Sequence, residues 1–431
     1  MGVLSVLDRV TVPGTSVTKK SGELRLLARA RVSAGKLLLI FLVLPATRSV
    51  AATVVPAGHY GVGGDPRSIA AADLNHDGKL DLVVANRQTN DVSVLMGHGD
   101  GTFRPAVSVP VPNQPHVVAI DDFDRDGALD LAVAYDGWMG GETYASGLVV
   151  LLGDGVGRFP RQSVTPLSLP PNGDGSVWAF GIGDFTGDGW PDLALLGSYA
   201  ISVLGGRGDG TFDFEASNSL PDLSPFTMAA ADLNQDGAPD LVVSATVWCG
   251  FAVCGKAVVT FLNRKPFGFN WGTEVRFNAS VNDAANLDLA VRDLNGDGRL
   301  DVICASQHGV FALLGNGDGT FVKDSHGEAR RPIWSPESSS YFVDRVVAGD
   351  FDGDGRLDLA VTGGGGARYD DEVTVLWGRG DGLHFDPRLP TRFRGAALGG
   401  MVAGDFNGDG RSDLAVLDQM ANAVRILIGT R

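Results

Sequence analysis

One nine-residue acidic pattern recurs along this chain and constrains its fold more than any other feature. The first copy, Asp73–Asp81, reads D-x-N-x-D-G-x-x-D. Successive copies are 49, 62, 48, 61, 57 and 55 residues apart, and they begin at Asp73, Asp122, Asp184, Asp232, Asp293, Asp350 and Asp405. A period of this size, held over seven copies, predicts a repeat architecture in which similar supersecondary units pack side by side.

Positions 1, 3, 5 and 9 of each copy carry side-chain oxygens suited to a hard cation. Calcium takes roughly six to eight oxygen ligands, and the Gly at position 6 permits a sharp turn. Ordinary Asp-Gly turns do not need several mutually repelling carboxylates, so the pattern predicts up to seven calcium ions, one per repeat. Magnesium fits less well because it prefers a strict octahedron and keeps its waters. The predicted ligands are Asp73, Asn75, Asp77 and Asp81; Asp122, Asp124, Asp126 and Asp130; Asp184, Thr186, Asp188 and Asp192; Asp232, Asn234, Asp236 and Asp240; Asp293, Asn295, Asp297 and Asp301; Asp350, Asp352, Asp354 and Asp358; and Asp405, Asn407, Asp409 and Asp413.

The residues around each copy predict strands rather than helices. Short apolar runs, such as residues 68–72 and 82–85, have the length of strands. An EF-hand would have helical flanks and a Glu at its twelfth position, where the first copy has Val84. Each acidic loop is therefore predicted to join two strands of a β-hairpin.

A second repeated motif predicts another hairpin in each unit. It reads G-H-G-D-G-T-F at Gly97–Phe103 and returns, in exact or looser form, in later units. Its glycines suit a tight turn, and its Phe can pack between neighbouring units. Four strands per unit predict an all-β fold, a seven-bladed β-propeller of four-stranded antiparallel blades. An N-terminal strand at residues 53–60 is predicted to complete the last blade.

Together the two motifs resemble the FG-GAP/VCBS repeat of integrin α-chain propellers and of secreted bacterial proteins. The resemblance covers residues 53–431. It implies calcium in the first hairpin of each blade, on one face of the propeller, and partner binding on the opposite face. Integrins usually carry calcium in only some blades, whereas all seven copies here have the ligand pattern.

Residues 1–52 have the order of a secretory signal peptide. A long basic region is followed by the apolar run at residues 37–44 and by small residues, with predicted cleavage near Ala51 or Ala52. The apolar run is too short to span a bilayer, which needs roughly 20 residues. We therefore expect a secreted or extracytoplasmic protein in the periplasm, on the cell surface or outside the cell, with no transmembrane span in the mature chain.

Charge and cysteine usage are consistent with that location. The formal charge is −16, although residues 1–52 are basic, and this argues against nucleic acid as a partner. Cys249 and Cys254 are predicted to form a local disulfide, with zinc as the alternative. Cys304 lies in an apolar run and is predicted to be a buried thiol.

Long connections opposite the acidic loops supply candidate ligand-binding aromatics, namely Trp138, Tyr144, Trp248, Trp334 and Tyr341. Exposed aromatics suit sugar stacking or protein contact, but some of them could simply pack on blade edges. No G-x-S-x-G or H-E-x-x-H motif is present, so we expect a non-enzyme. The predicted function is a monomeric extracellular adhesion or ligand-binding module for a protein or glycan. The alternatives are a carbohydrate-binding lectin and a polysaccharide lyase or other glycan-acting enzyme.

Overall fold

The structure is a computed structural model. The chain forms two compact units, residues 1–51 and 52–431. It describes residues 16–20, 23–31, 37–42, 53–136, 146–167, 177–250, 252–264, 268–277, 288–306, 309–324, 329, 332–336, 341–365, 370–387, 391–394 and 396–430. These residues form strands, turns and bends. They include no helix long and apolar enough to cross a membrane.

The first unit contains three strands. β1 (Ser16–Lys20), β2 (Glu23–Arg31) and β3 (Leu37–Leu42) form an antiparallel sheet in the order β1-β2-β3. The prediction that residues 1–52 are a signal peptide is not tested by this arrangement and remains a prediction.

The second unit is built from seven antiparallel sheets, which we number as blades 1–7 in the order of their acidic loops. Blades 1–4 contain β5 (Pro66–Ala72), β6 (Asp81–Asn86), β7 (Asp91–Leu95) and β8 (Val107–Pro110); β9 (Pro115–Asp121), β10 (Asp130–Tyr135), β11 (Gly147–Leu152) and β12 (Arg161–Pro166); β13 (Val177–Gly183), β14 (Asp192–Gly197), β15 (Ala200–Gly206) and β16 (Phe212–Ser219); and β17 (Leu223–Ala231), β18 (Asp240–Cys249), β19 (Ala252–Asn263) and β20 (Phe269–Phe277). Blades 5–7 contain β21 (Asp288–Arg292), β22 (Asp301–Ser306) and β23 (Gly309–Leu313); β24 (Tyr341–Gly349), β25 (Asp358–Gly365), β26 (Asp370–Gly378), β27 (Phe385–Pro387) and β28 (Thr391–Arg394); and β29 (Leu398–Gly404), β30 (Asp413–Asp418), β31 (Ala423–Thr430) and β4 (Thr53–Gly61).

The seven first strands form the inner wall of a closed ring. Each of them contacts the first strands of both neighbouring blades, in the cycle β5, β9, β13, β17, β21, β24, β29 and back to β5. A cavity of about 540 Å³ is lined mainly by small and aliphatic residues of these strands, such as Ala71, Ala230 and Val347. The prediction of a seven-bladed β-propeller is therefore confirmed.

Burial within each blade explains why the sequence forms these strands. The second and third strands are the most buried of each blade, and every residue of β6 and of β7 is buried, including the polar ends of both strands. The outer strand of the same blade, β8, is largely exposed. Neighbouring sheets thus cover both faces of the central strands, which is the pattern expected of stacked blades.

Three blades depart from the plan of four consecutive strands. In blade 6 two short strands, β27 and β28, both pair with β26 at the outer edge. In blade 7 the outer strand is β4, which pairs with β31 from Thr53↔Thr430 to Gly61↔Ala423, so the two ends of the repeat region share one sheet. In blade 5 the described residues form three strands, and the outer position is taken by a short bridge between Val310 and Trp334. Residues 325–328 and 330–331 of this outer segment lie outside the described part of the chain.

Neighbouring blades are joined by the Phe of the Gly-rich turn, as the second motif predicts. Phe212 of blade 3 packs edge-on against Phe123 of loop 2, with ring centroids 5.6 Å apart. Phe269 of blade 4 meets Phe185 of loop 3 in the same way, and Phe103 of blade 1 meets Phe406 of loop 7. In these three loops the second residue is therefore an anchor for the next blade.

This packing predicts unequal effects for two phenylalanines on β16. Phe212→Ala should lower the free energy of unfolding by about 3–5 kcal/mol, because it leaves a cavity between two blades. Phe214 on the same strand is 57% exposed, so Phe214→Ala should change it by less than about 0.5 kcal/mol. Denaturant melts of both variants measure the difference, and equal losses would contradict the interblade role of Phe212.

Candidate functional site

The seven acidic loops share one backbone conformation and lie on one face of the propeller. Each connects the first strand of its blade to the second, as loop 1 connects β5 to β6. Position 6 is a Gly with φ between +79° and +94° in all seven loops. Position 4 also has positive φ in every loop, although it is a Gly in only four of them.

Hydrogen bonds to the loop's own backbone orient the oxygens at positions 1, 3 and 5. In loop 6, the two carboxylate oxygens of Asp350 accept from the backbone N–H groups of Asp354 and Gly355, at 3.1 and 2.8 Å. Asp352 Oδ1 accepts from Asp354 N at 3.0 Å, and Asp354 Oδ1 accepts from Arg356 N at 2.9 Å. The loop therefore holds several carboxylates in fixed positions before any ligand binds.

The Asp at position 9 joins the acidic loop to the Gly-rich turn of the same blade. In loop 1, Asp81 Oδ2 accepts from Leu74 N at 3.0 Å and its Oδ1 accepts from Gly97 N at 2.7 Å. The Oδ1 bond recurs in all seven blades, and the Oδ2 bond has the same form in six. In loop 3 the Oδ2 donor is Thr186 N, one residue later than elsewhere. We call this pair of bonds the aspartate clip.

The second motif usually begins with a Gly because its backbone lies close to a carbonyl oxygen of the acidic loop. A Cβ at Gly97 would collide with the carbonyl oxygen of Leu80, directly before the clip aspartate. Gly153, Gly206, Gly315 and Gly378 stand in the same relation to their own loops. Blade 4 is the exception, because Asn263 occupies this position and its Nδ2 donates to Phe185 O of blade 3 at 3.0 Å.

Burial and like charge raise the pKa of the clip aspartates above the ordinary value of a carboxyl group. Desolvation is the largest cause in each of them. It raises the pKa of Asp130, Asp240 and Asp413 to about 6 and that of Asp358 to about 7, against the lowering effect of the two N–H donors. The carboxylates at positions 1 and 3 or 5 add to the rise. A bound cation would relieve both effects by supplying the missing positive charge.

Two loops gather three carboxylates tightly enough for one metal ion. Ligand oxygens of Asp122, Asp124 and Asp130 in loop 2 lie within 4.8 Å of one another, as do those of Asp350, Asp352 and Asp358 in loop 6. Two oxygens bound at about 2.3–2.6 Å to the same calcium are at most about 5 Å apart. The all-oxygen donor set therefore fits calcium, and these two clusters could each hold an ion.

The other five loops offer one carboxylate fewer. Position 3 is an Asn in loops 1, 4, 5 and 7 and Thr186 in loop 3. In loop 4, Asn234 Oδ1 accepts from Asp236 N, and its Nδ2 donates to Asp236 Oδ2 at 3.0 Å. The seven loops thus place the predicted ligand residues in equivalent positions, but they do not offer equal charge.

Three side chains at position 4 connect neighbouring loops. His76 and Gln235 each donate a side-chain N–H to the carbonyl at position 6 of the next loop, Gly127 O and Gly298 O, both at 2.9 Å. The guanidinium of Arg125 lies over the Trp190 ring of loop 3, 5.2 Å from its centroid. These are the three non-Gly residues with positive φ at this position, so the strained backbone coincides with an interloop contact.

The predicted aromatic residues are only partly described. Trp138 and Tyr144 lie outside the described residues, and so does the side chain of Tyr341, whose backbone begins β24 instead of lying in a connection. Trp248 is 37% exposed at the end of β18, and its Nε1 donates to Ser224 Oγ at 2.9 Å. Trp334 is half-buried at the edge of blade 5, beside the apolar core. The structure does not bring Trp248 and Trp334 together in one pocket.

Cysteines occupy the positions that their sequence context indicates. Cys249 and Cys254 form a disulfide with their Cα atoms 5.7 Å apart. They lie on β18 and β19, which extend into a stretch that the sequence pattern assigns to a loop. Cys304 is a buried thiol, and burial raises its pKa.

Comparison with known proteins identifies the repeats. Five overlapping segments match the FG-GAP-like repeat: residues 73–133, 122–195, 184–243, 293–361 and 350–416. Together they cover more than half of the chain. Comparison with curated protein sequences gave no significant match.

One similar solved structure is a lectin from Agrocybe aegerita, described as specifically recognising non-reducing terminal N-acetylglucosamine. It is 20% identical, the alignment covers 93% of this chain and 94% of that one, and the TM-score is 0.47. A similarity at this level identifies no ligand for this chain.

The aspartate clip predicts that substitutions at positions 5 and 9 of one loop lower the free energy of unfolding by different amounts. Asp240→Ala leaves the N–H groups of Leu233 and Asn263 without acceptors, and each buried unpaired group costs about 1–3 kcal/mol. We expect a loss of about 2–4 kcal/mol in unfolding free energy, measured in chelator so that no ion contributes. The control, Asp236→Ala in the exposed part of the loop, should cost less than about 1 kcal/mol.

Proposed function

Since this chain belongs to the FG-GAP-like repeat family, we propose that it is a calcium-binding propeller that presents a ligand-binding face outside the cytoplasm. One observation carries the proposal: an acidic loop with the same two positive-φ positions occurs seven times on one face, and two copies bring three carboxylate oxygens within 4.8 Å of one another. Carboxylates gathered this closely repel one another, so a cation is the natural complement.

Calcium is the proposed ion, and the loops are proposed to differ in affinity. Loops 2 and 6, with four aspartates each, have the most charge for a divalent cation. In loop 2, Arg161 Nη2 lies 3.4 Å from Asp124 and 3.6 Å from Asp126, so this side chain would have to yield part of its contact when an ion binds. In loop 6, Arg356 Nη1 approaches only Asp354, at 3.7 Å, so a smaller contact has to be given up there. We therefore expect loop 6 to bind more tightly than loop 2, and the five remaining loops more weakly.

In this proposal the metal has a structural role. Each ion would add oxygen–metal bonds within a loop whose second residue anchors the neighbouring blade and whose ninth residue clips the Gly-rich turn. Calcium would therefore stabilise a blade and its contact with the next one together. No chemical step is assigned to the ion.

The opposite face is the proposed ligand-binding surface. First strands end at the acidic loops, so their beginnings lie on the other face, together with the turns between second and third strands. Trp178, Tyr199 and Trp248 belong to these segments of blades 3 and 4, and they are 50%, 57% and 37% exposed. Exposed aromatic side chains are enriched at binding surfaces. The disulfide beside Trp248 is compatible with an oxidising compartment.

Calcium removal tests the structural part of the proposal. Excess chelator should lower the melting temperature, and added calcium, but not an equal ionic strength of sodium, should restore it, because binding to the folded state alone stabilises by mass action. Identical melting curves in calcium and in chelator would sink the calcium assignment. Titration calorimetry on chelator-treated protein gives the number of ions bound.

Variants of the two triads test where calcium binds most tightly. The double variant Asp124→Ala/Asp352→Ala removes one carboxylate from each triad, and it should abolish the tightest calorimetric phase or weaken it about tenfold or more. The control Glu215→Gln removes a similar exposed charge outside the loops and should leave the titration unchanged. An unchanged titration for the double variant would place the tight sites elsewhere.

A further inference from the structure

A polar pocket of about 530 Å³ lies on the face opposite the acidic loops, apart from the metal-binding residues and the aromatics discussed above. Three segments form it: the connection from blade 7 to blade 1, the turn between β6 and β7, and the connection from blade 1 to blade 2. Its lining residues are Asp65, Arg87, Gln88, Asn90, Asn113 and Gln114. Every one of these side chains is polar, so the space is not a gap in the hydrophobic core.

The backbone around the pocket is held in an unusual conformation. Asp65, Asn90 and Gln114 have φ values of +54°, +55° and +51°, which residues other than Gly seldom adopt. Such conformations persist only where the surrounding structure enforces them, and they concentrate at functional sites. Here three of six lining residues share this feature, and each comes from a different segment.

Hydrogen bonds between the segments fix the shape of the pocket. Arg87 donates its backbone N–H to Asp65 O at 3.0 Å and its Nη2 to Gln114 Oε1 at 3.0 Å. Asn90 Oδ1 accepts from Gln114 N at 2.8 Å. Arg87 and Asn90 thus tie the central turn to both connections, and a ligand would meet a largely preformed site.

The neighbouring blade uses the same scaffold with different side chains. Asn422, with φ of +49°, accepts from Asp65 N at 2.9 Å, as Asn90 does from Gln114 N. In the turn that contains Asn422, the position equivalent to Gln88 is Met420, which is 59% exposed. The scaffold is therefore shared by blades 1 and 7, whereas the amide of Gln88 has no polar counterpart in the turn of blade 7.

We propose that this pocket binds a neutral saccharide. Its side chains supply amide donors and acceptors, a guanidinium donor and a carboxylate acceptor, and sugar hydroxyl groups both donate and accept hydrogen bonds. The lining carries one acidic and one basic group, Asp65 and Arg87, and each already has a partner: Arg67 Nη2 donates to Asp65, and Arg87 Nη2 donates to Gln114 Oε1, both at 3.0 Å. A strongly charged ligand would therefore gain no net attraction here.

Other ligand classes fit the pocket less well. A phosphate or carboxylate ligand would face Asp65, and a metal ion would find one carboxylate already paired with Arg67. An apolar ligand would bury the amides of Gln88 and Asn113 without giving them hydrogen-bond partners, which is costly. A hydroxyl-rich neutral ring satisfies these groups without a charge penalty.

The test combines a glycan panel with variants that spare the scaffold. Gln88 and Asn113 are exposed, and the bonds that fix the pocket do not use their side-chain amides, so Gln88→Ala/Asn113→Ala should fold normally. We expect the full chain, in calcium, to bind at least one class of neutral glycan. The double variant should lose about tenfold or more in affinity because two hydrogen bonds are missing. Met420→Ala, at the equivalent turn of blade 7, should bind as the parent does.

This inference rests on the proposed ligand-binding function, but it can fail separately from it. Glycan binding that survives the double variant, or that falls equally in Met420→Ala, would overturn the pocket assignment while leaving a ligand-binding propeller in place. Absence of binding to every neutral glycan would overturn the saccharide assignment. The calcium-dependent melting shift does not involve these residues, so its presence or absence reports on the structural proposal alone. Melting curves of both variants confirm that any loss of binding is not a loss of fold.

Discussion

A buried carboxylate that accepts two backbone N–H groups is the interaction on which each blade depends. In blade 1 this is Asp81, which ties the acidic loop to the Gly-rich turn and begins the central strand β6. Without this carboxylate, two buried amide groups would lose their acceptors, and the two hairpins would lose their common register. The same residue belongs to the set predicted to bind calcium, so one side chain holds two hairpins together and is also a predicted metal ligand. Burial is the main cause of its raised pKa, and the neighbouring carboxylates of Asp77 and Asp73 add to the rise.

In the proposed function, the face that carries the acidic loops and the face that would bind a ligand are separate. Loops between first and second strands share one face and have the same two positive-φ positions in every blade, and the described turns between third and fourth strands lie on that face too. Segments on the other face differ widely, from the four-residue turn of blade 1 to the extended hairpin of blade 4. The acidic loops are uniform because each must satisfy the same backbone geometry. The segments on the opposite face do not have to satisfy that geometry. Variation in length and side-chain type is therefore concentrated where a ligand can use it.

Sequence analysis predicted the blade number, the strand order within blades and the positions of the acidic loops, because each depends on a short pattern repeated seven times. It did not predict the interloop contacts of His76 and Gln235. The signal was present, since these residues replace a Gly used in four other loops, but the direction of a side chain depends on the next blade. The pocket around Arg87 also escaped prediction. Its residues are far apart in sequence, and their proximity follows only from the way that successive blades join. The extension of β18 and β19 beyond the regular hairpin was hidden by the two cysteines, which are equally typical of a loop.

The pairing of β4 with β31 has a consequence for how such a chain reaches its folded state. Every other blade is assembled from strands that follow one another closely, so its hairpins can form as soon as they have been synthesised. Blade 7 requires its outer strand from the beginning of the repeat region and its other three from the end. Until the last residues are available, β4 has no partner and the edge of the final sheet is open to association with other chains. Closure is thus the most non-local event in folding, which makes it slow and sensitive to protein concentration. Removal of β31 alone would leave β4 without a partner strand.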